Sequence, residues 1–204
     1  MKVGIVDYGM GNLGSVKRKM DLLGFQAVIS SNSEELEKAD KLILPGVGHF
    51  KRAVQQLKSM GLWDCLMEEV IGKKKPILGI CLGLQLMTLH SEEGDEEGFG
   101  WIDAKVVRFT IQDQKKYKVP HVGWNTLKKN KSGGLLEGLT EDAEFYFVHS
   151  YHITAGNPTE IIATTNYEYP FISAMARDNI FGVQFHPEKS HDDGEKVLLN
   201  FLKE

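Results

Sequence analysis

The chain has 204 residues, 42% of them hydrophobic and 25% charged, an ordinary globular balance with room for one well-buried domain over residues 1–204. Its formal net charge of −4 argues against a nucleic-acid partner, for which a basic patch or stripe would be expected. Two cysteines, Cys65 and Cys81, are too few for a disulfide framework and point to a cytoplasmic setting, and no stretch approaches the length of a membrane span.

Residues 2–7 read as a strand whose apolar run is broken by Asp7 too early for a signal peptide. An amphipathic helix over 12–23, closed by Gly24, leads to a second strand over 25–29. A third strand, 41–44, ends in Pro45-Gly46-Val47-Gly48. Helical patterns follow over 50–60 and 62–71, the second with Cys65 in its core, and then a short apolar strand over 76–80. From Gln85, Leu86 and Leu89 continue at helical spacing. Short apolar strands alternating with helices indicate an α/β fold, an open and mostly parallel sheet covered on both faces. After Trp101 the texture changes to strand-like segments at 106–109, 121–127, 143–153, 161–165 and 172–175. Turn signals at 131–134 and 156–158 separate some of them, so the C-terminal half adds antiparallel strands. A strand over 181–185 and a helix over 194–202 close the chain.

In open α/β sheets, sites form beyond the carboxyl ends of the parallel strands. At the first such end, Gly9-Met10-Gly11-Asn12-Leu13-Gly14 matches a dinucleotide fingerprint, but the second strand ends in Ile29-Ser30-Ser31-Asn32 with no acidic residue for a ribose. A glycine-rich turn is the better reading, and no cofactor is expected. At another end, Gly79-Ile80-Cys81-Leu82-Gly83 has the form of a nucleophile elbow with a thiol in place of the hydroxyl. The glycines admit a tight strand-to-helix turn, and the helix N-terminus favours the thiolate. A cysteine nucleophile needs a base, and His186-Pro187-Glu188 supplies a candidate. In an extended segment the imidazole and carboxylate two residues apart share a face, so Glu188 can orient His186. Together they make a candidate Cys-His-Glu triad. His149 and His152, three apart in a predicted strand, should face opposite ways, and with no Cys-x-x-Cys a metal site is not expected.

Four segments in order, Pro45-Gly46-Val47-Gly48, Gly79-Ile80-Cys81-Leu82-Gly83-Leu84-Gln85, His149-Ser150-Tyr151 and Phe185-His186-Pro187-Glu188, resemble the class I (triad) glutamine amidotransferase family over nearly the whole chain. The resemblance implies a flavodoxin-like open sheet and glutamine hydrolysis through a glutamyl thioester on Cys81. It implies oxyanion donors at Leu82 and in the turn carrying Val47 and Gly48, and places Gln85, Glu93, Ser150 and Tyr151 around the substrate. The opening Asp7-Tyr8-Gly9-Met10-Gly11-Asn12-Leu13, the stretch Pro120-His121-Val122-Gly123-Trp124-Asn125 and His186-Pro187-Glu188-Lys189-Ser190 resemble the branch that serves histidine biosynthesis. That branch delivers its ammonia to a separate (β/α)₈-barrel cyclase subunit. Asn12, His121, Trp124, Tyr146 and Lys189 are the candidate docking residues, since exposed aromatics and a charge beside the site suit such a face. The glycines around Val47 further suggest that an oxyanion donor turns into place when the partner and its ligand bind. An amidotransferase subunit feeding a chorismate-using synthase, such as anthranilate or aminodeoxychorismate synthase, remains an alternative. So does a flavodoxin-like cysteine peptidase or deglycase-like hydrolase.

Overall fold

The computed structural model of the chain describes residues 1–131, 133–155 and 157–204, so Ser132 and Gly156 of the two predicted turns lie outside the described residues. Strand β1 (Lys2–Val6) leads through helix α1 (Leu13–Leu22) to β2 (Gln26–Ser30), α2 (Ser33–Glu37) and β3 (Lys41–Gly46). Helices α3 (Phe50–Ser59) and α4 (Leu62–Leu66) precede β4 (Ile77–Cys81), which runs directly into α5 (Leu82–Leu86). The remainder is β5 (His90–Ser91), β6 (Glu96–Glu97), β7 (Ala104–Arg108), β8 (His121–Thr126), β9 (Lys128–Lys129), β10 (Glu144–His149), β11 (Tyr151–Ala155), β12 (Ile161–Tyr167), β13 (Tyr169–Arg177), β14 (Ile180–Val183) and α6 (His191–Lys203).

The main sheet has the order β2-β1-β3-β4-β14-β13-β11-β7-β5-β6, with β12 joining β13 and β9 at its side. Neighbours from β2 to β14 are parallel, whereas β14-β13, β13-β11 and β11-β7 are antiparallel. This is the expected mixed α/β architecture. Every residue of β3 and β4 is buried, as a strand covered by helices on both faces requires. In α3, Phe50, Ala53, Val54 and Leu57 make the apolar stripe that seats the helix on the sheet.

Several local expectations need correction. The predicted helix over 62–71 passes after Leu66 into a π-helical turn, Met67–Gly72, and Cys65 is half-buried instead of lying in the core. The elbow helix ends at Leu86, and Leu89, the next position of the apparent periodicity, is 41% exposed. The predicted strand over 143–153 is two strands in two sheets. β10 pairs only with β8 in a separate ladder, while β11 pairs with β7 and β13 in the main sheet, so the chain changes sheets at Ser150.

That change overturns the expected placement of two histidines. Alternation of side chains holds only within one strand. On either side of the break, His149 and His152 both pack on Phe109, at ring-centroid distances of 5.2 and 4.5 Å. His121 joins them, its Nδ1 lying 3.1 Å from His149 Nε2 while its ring stacks on Tyr167 at 4.0 Å. Burial lowers His121 to about 4. Burial likewise lowers His149 to about 3, against the opposing pull of its bond to the Tyr151 carbonyl.

Both folded values lie below the ordinary 6.5, so the neutral imidazoles stabilise the fold fully above that pH and lose their contribution as pH falls through it. Urea-unfolding midpoints should therefore drop between pH 6.5 and about 4. The fall should be shallower in His121→Phe, which keeps an aromatic stack and cannot take up a proton; an equally steep fall would contradict this assignment.

Candidate active site

Cys81 ends β4 with φ 55° and ψ −109°, a backbone region that side chains avoid and that costs about 1–3 kcal/mol to hold. The neighbouring glycines show how it is held. A Cβ on Gly79 would lie 2.7 Å from the Leu84 nitrogen, and one on Gly83 would overlap the Leu44 carbonyl oxygen. The chain therefore folds back against β3 and β4 at a distance only glycine allows. The helix that follows is five residues long, a smaller dipole than the sequence suggested.

β14 lies beside β4 in parallel register, with Val183 opposite Ile80, so the chain leaving β14 emerges next to Cys81. Three bonds stitch that exit in place. His186 N–H donates to Tyr146 O at 2.9 Å, Ser190 Oγ donates to His186 O at 2.6 Å, and Tyr146 N–H donates to Ser190 Oγ at 3.0 Å. His186 Nδ1 lies 2.9 Å from Glu188 Oε1, with both side chains 1% exposed. The pairing is the expected one, but its geometry differs: Pro187–Lys189 is a 3-10 turn, and Glu188 reaches back across it.

A carboxylate only accepts, so Nδ1 carries the proton and Nε2 is the nitrogen left over. Nε2 is buried with no hydrogen-bond partner among the described residues. Burial acts to lower the imidazole, but Cys81 and Glu188 outweigh it and hold His186 up to about 10.

Beside Cys81 is a cavity of about 360 Å³ whose walls bring together Val47, Gly48, Leu82, Gln85, Glu93, Ser150 and Tyr151. Gly48 has φ +113°, and Leu82 is the first residue of α5, so its N–H is one that helix hydrogen bonding leaves over. Gln85 is 4% exposed, not facing solvent. Its Nε2 donates to Tyr151 O at 3.1 Å and to Gln184 Oε1 at 3.0 Å, so both its protons are engaged and it offers a ligand only an acceptor. Glu93 is more than a solvated loop charge, because its Oε2 accepts the Phe50 N–H at 2.8 Å and caps α3 two residues after Gly48.

Two side chains here were not singled out from the sequence. The Tyr8 hydroxyl is buried without a partner among the described residues, packed where a Cβ on Gly46 would strike it, and its burial, then Cys81, push the phenol well above its ordinary range. Gln184 Nε2 lies 3.5 Å from Cys81 Sγ. The signal for Gln184 was its place two residues before His186, hence on the same face of an extended chain.

The candidate docking residues divide. Trp124 is 44% exposed, stacked on His191 at 4.9 Å and edge-on to Tyr146 at 5.9 Å, with Lys189 Nζ 5.4 Å from the Tyr146 ring centre. Asn12 is half-buried at the start of α1, which packs against the Pro187–Lys189 turn. His121 is 2% exposed and does not belong with them, because alternation along β8 turns Val122 and Trp124 outward and His121 into the core.

The family of class-I glutamine amidotransferases matches the chain over residues 4–204. The chain is 48% identical to imidazole glycerol phosphate synthase subunit HisH 2 of Methanococcus maripaludis, covering 99% of each chain. It is 47% identical to the subunit of the same name from Pseudomonas aeruginosa, covering 98% of each. Among solved structures, PurLQS of Thermotoga maritima superposes with a TM-score of 0.75 at 16% identity, covering 99% of this chain and 97% of that one. A solved glutamine amidotransferase gives 0.74 at 19% identity, covering 98% and 97%; at these identities the likeness speaks for the fold alone. No helix among the described residues is long and apolar enough to cross a membrane. With the family matched from residue 4 to the last, the chain belongs to the class-I glutamine amidotransferases.

Proposed function

We propose that this chain is the glutaminase subunit of an imidazole glycerol phosphate synthase, a single amidotransferase domain over residues 1–204 that works in the cytoplasm on the route to histidine. Near-full-length identity to subunits of that name supports the assignment. The chemistry rests on one observation, the buried His186–Glu188 pair beside a strained Cys81.

The Cys81 thiolate, its proton already on His186, attacks the side-chain carbonyl carbon of glutamine. His186 returns a proton to the amide nitrogen, the C–N bond breaks, and ammonia leaves a glutamyl thioester. Water then attacks the thioester, His186 takes its proton, and glutamate departs as the thiol is restored. Glu188 keeps Nδ1 protonated throughout and stabilises the imidazolium. Leu82 N–H and an N–H from the turn carrying Val47 and Gly48 receive the oxyanion of each tetrahedral intermediate. Gln85 and Glu93 present acceptors that suit the substrate's ammonium group, with Ser150 and Tyr151 closing the same cavity.

Ammonia in water at neutral pH is protonated and no longer a nucleophile, so the reaction calls for an acceptor enzyme docked on this face. A (β/α)₈-barrel cyclase seated over Trp124, Tyr146, Lys189 and Asn12 meets that need, with the aromatic cluster as its anchor.

Glutamate release from glutamine should be slow in the isolated chain and rise strongly with the cyclase partner and its nucleotide ligand. It should vanish in Cys81→Ala and fall about 10²–10⁴-fold in Glu188→Gln. Response to a chorismate-using partner in place of the cyclase would move the chain to that pathway. Trp124→Ala should weaken the complex about tenfold or more, read by titration calorimetry, without changing the fold. Gly48→Ala, forced into a positive φ, should lose ligand-stimulated activity, and unchanged stimulation would remove the turn from the mechanism.

A further inference from the structure

A chain of buried hydrogen bonds ends on the nucleophile, and each link fixes the direction of the next. Tyr151 O can only accept, so His149 Nδ1 at 2.8 Å and Gln85 Nε2 at 3.1 Å both donate to it. His149 Nε2 is then an acceptor and receives the proton of His121 Nδ1. Gln85 Nε2 directs its second proton to Gln184 Oε1 at 3.0 Å. Gln184 thus has its oxygen committed to Gln85, and its nitrogen is the atom 3.5 Å from Cys81 Sγ. A flipped Gln184 would set two amide nitrogens against each other, with no acceptor between them. The side chain is fully buried, so no rotation into solvent competes.

We propose that Gln184 is a catalytic residue of this site, the side-chain donor that stabilises the Cys81 thiolate, and that Gln85 aims it. The inference rests on the glutaminase reading above and adds to it a direct partner for the reacting sulfur. With the proton on His186, negative charge rests on a sulfur whose residue is 6% exposed. Besides the His186 imidazole, the Cys81 side chain meets Val148 O at 4.0 Å, which cannot donate. An N–H held toward sulfur before the charge develops needs no reorganisation when it does. Such charge-assisted bonds are about twice as strong as neutral ones. The arrangement also joins the substrate cavity to the nucleophile, because Gln85 is both a wall of that cavity and the group that orients Gln184.

The titratable groups facing this sulfur come from several elements. They are His186 after β14 with Glu188 behind it, Tyr8 after β1, His149 at the end of β10, and Glu93 across the cavity. None of them is altered by a change at Gln184, so a shift in the sulfur's titration reports the lost donor.

The test is the pH profile of Cys81 alkylation by iodoacetamide in the full-length chain, on a Cys65→Ser background that leaves a single thiol. In Gln184→Met, of similar length and with no N–H, the inflection should move up by about one pH unit. Gln184→Glu, which turns an acceptor toward the sulfur, should move it further, and Gln85→Met, which leaves Gln184 unaimed, should move it less. With the cyclase and its ligand, Gln184→Met should lower kcat for glutamine about tenfold with little change in KM. An unchanged inflection in every one of these variants that folds, judged by circular dichroism, overturns the proposal, as does a loss confined to KM. If the inflection shifts as expected while the unmutated chain hydrolyses no glutamine with any partner, the donor stands and the glutaminase reading falls. Normal hydrolysis without the shift overturns the donor alone.

Discussion

At φ 55° and ψ −109°, Cys81 occupies a conformation costing about 1–3 kcal/mol, and the close approach of α5 to β3 and β4 is what keeps it there. The Leu44 carbonyl stands where a Cβ on Gly83 would be, so the turn has no room to relax outward. β4 is buried along its whole length between β3 and β14, and β14 in turn delivers Gln184 and His186 to the same end of the sheet. Cys81, Gln184 and His186 are thus placed by one pair of parallel strands, before any loop contributes. Loops then add the cavity wall: the turn after β3, the Glu93 segment, and the sheet change at Ser150.

The hydrogen bonds that the buried groups of this centre do make with one another set their protonation states. His186 is held protonated on Nδ1 by Glu188 and raised by Cys81 and Glu188, whereas burial keeps His149 and His121 neutral close by. Two kinds of histidine therefore lie near one cysteine, one able to carry a proton at neutral pH and the others acting as fixed hydrogen-bonding groups. Burial acts to lower all three imidazoles, and the difference is that Cys81 and Glu188 outweigh it at His186 alone.

What could be read from the sequence was what is local. The Gly-x-Cys-x-Gly elbow and the His186–Glu188 pairing are encoded within a few residues, and both appear, although a 3-10 turn makes the second where extended alternation was expected. The parallel order of the first strands follows from their apolar runs and intervening helices. The misplaced histidines had a different origin. Residues 143–153 carry an unbroken strand-like pattern, and only pairing with β8 on one side and with β7 and β13 on the other breaks it at Ser150. His121 reads from the sequence as an exposed aromatic beside Trp124, but three residues along a strand is an odd step and reverses the face. Gln184 escaped notice because its partners, Gln85 and Cys81, are about a hundred positions away in the chain.

The most direct test of the central claim needs neither the partner nor its ligand. Incubating the chain with a diazoketone analogue of glutamine, which alkylates a nucleophile with loss of dinitrogen, followed by peptide mass spectrometry, asks which side chain faces the substrate's amide group. A single covalent adduct on Cys81, suppressed by excess glutamine and much slower to form in His186→Ala, is the predicted result. An adduct on the half-buried Cys65, or equal labelling of Cys81 with and without His186, would contradict the site described here.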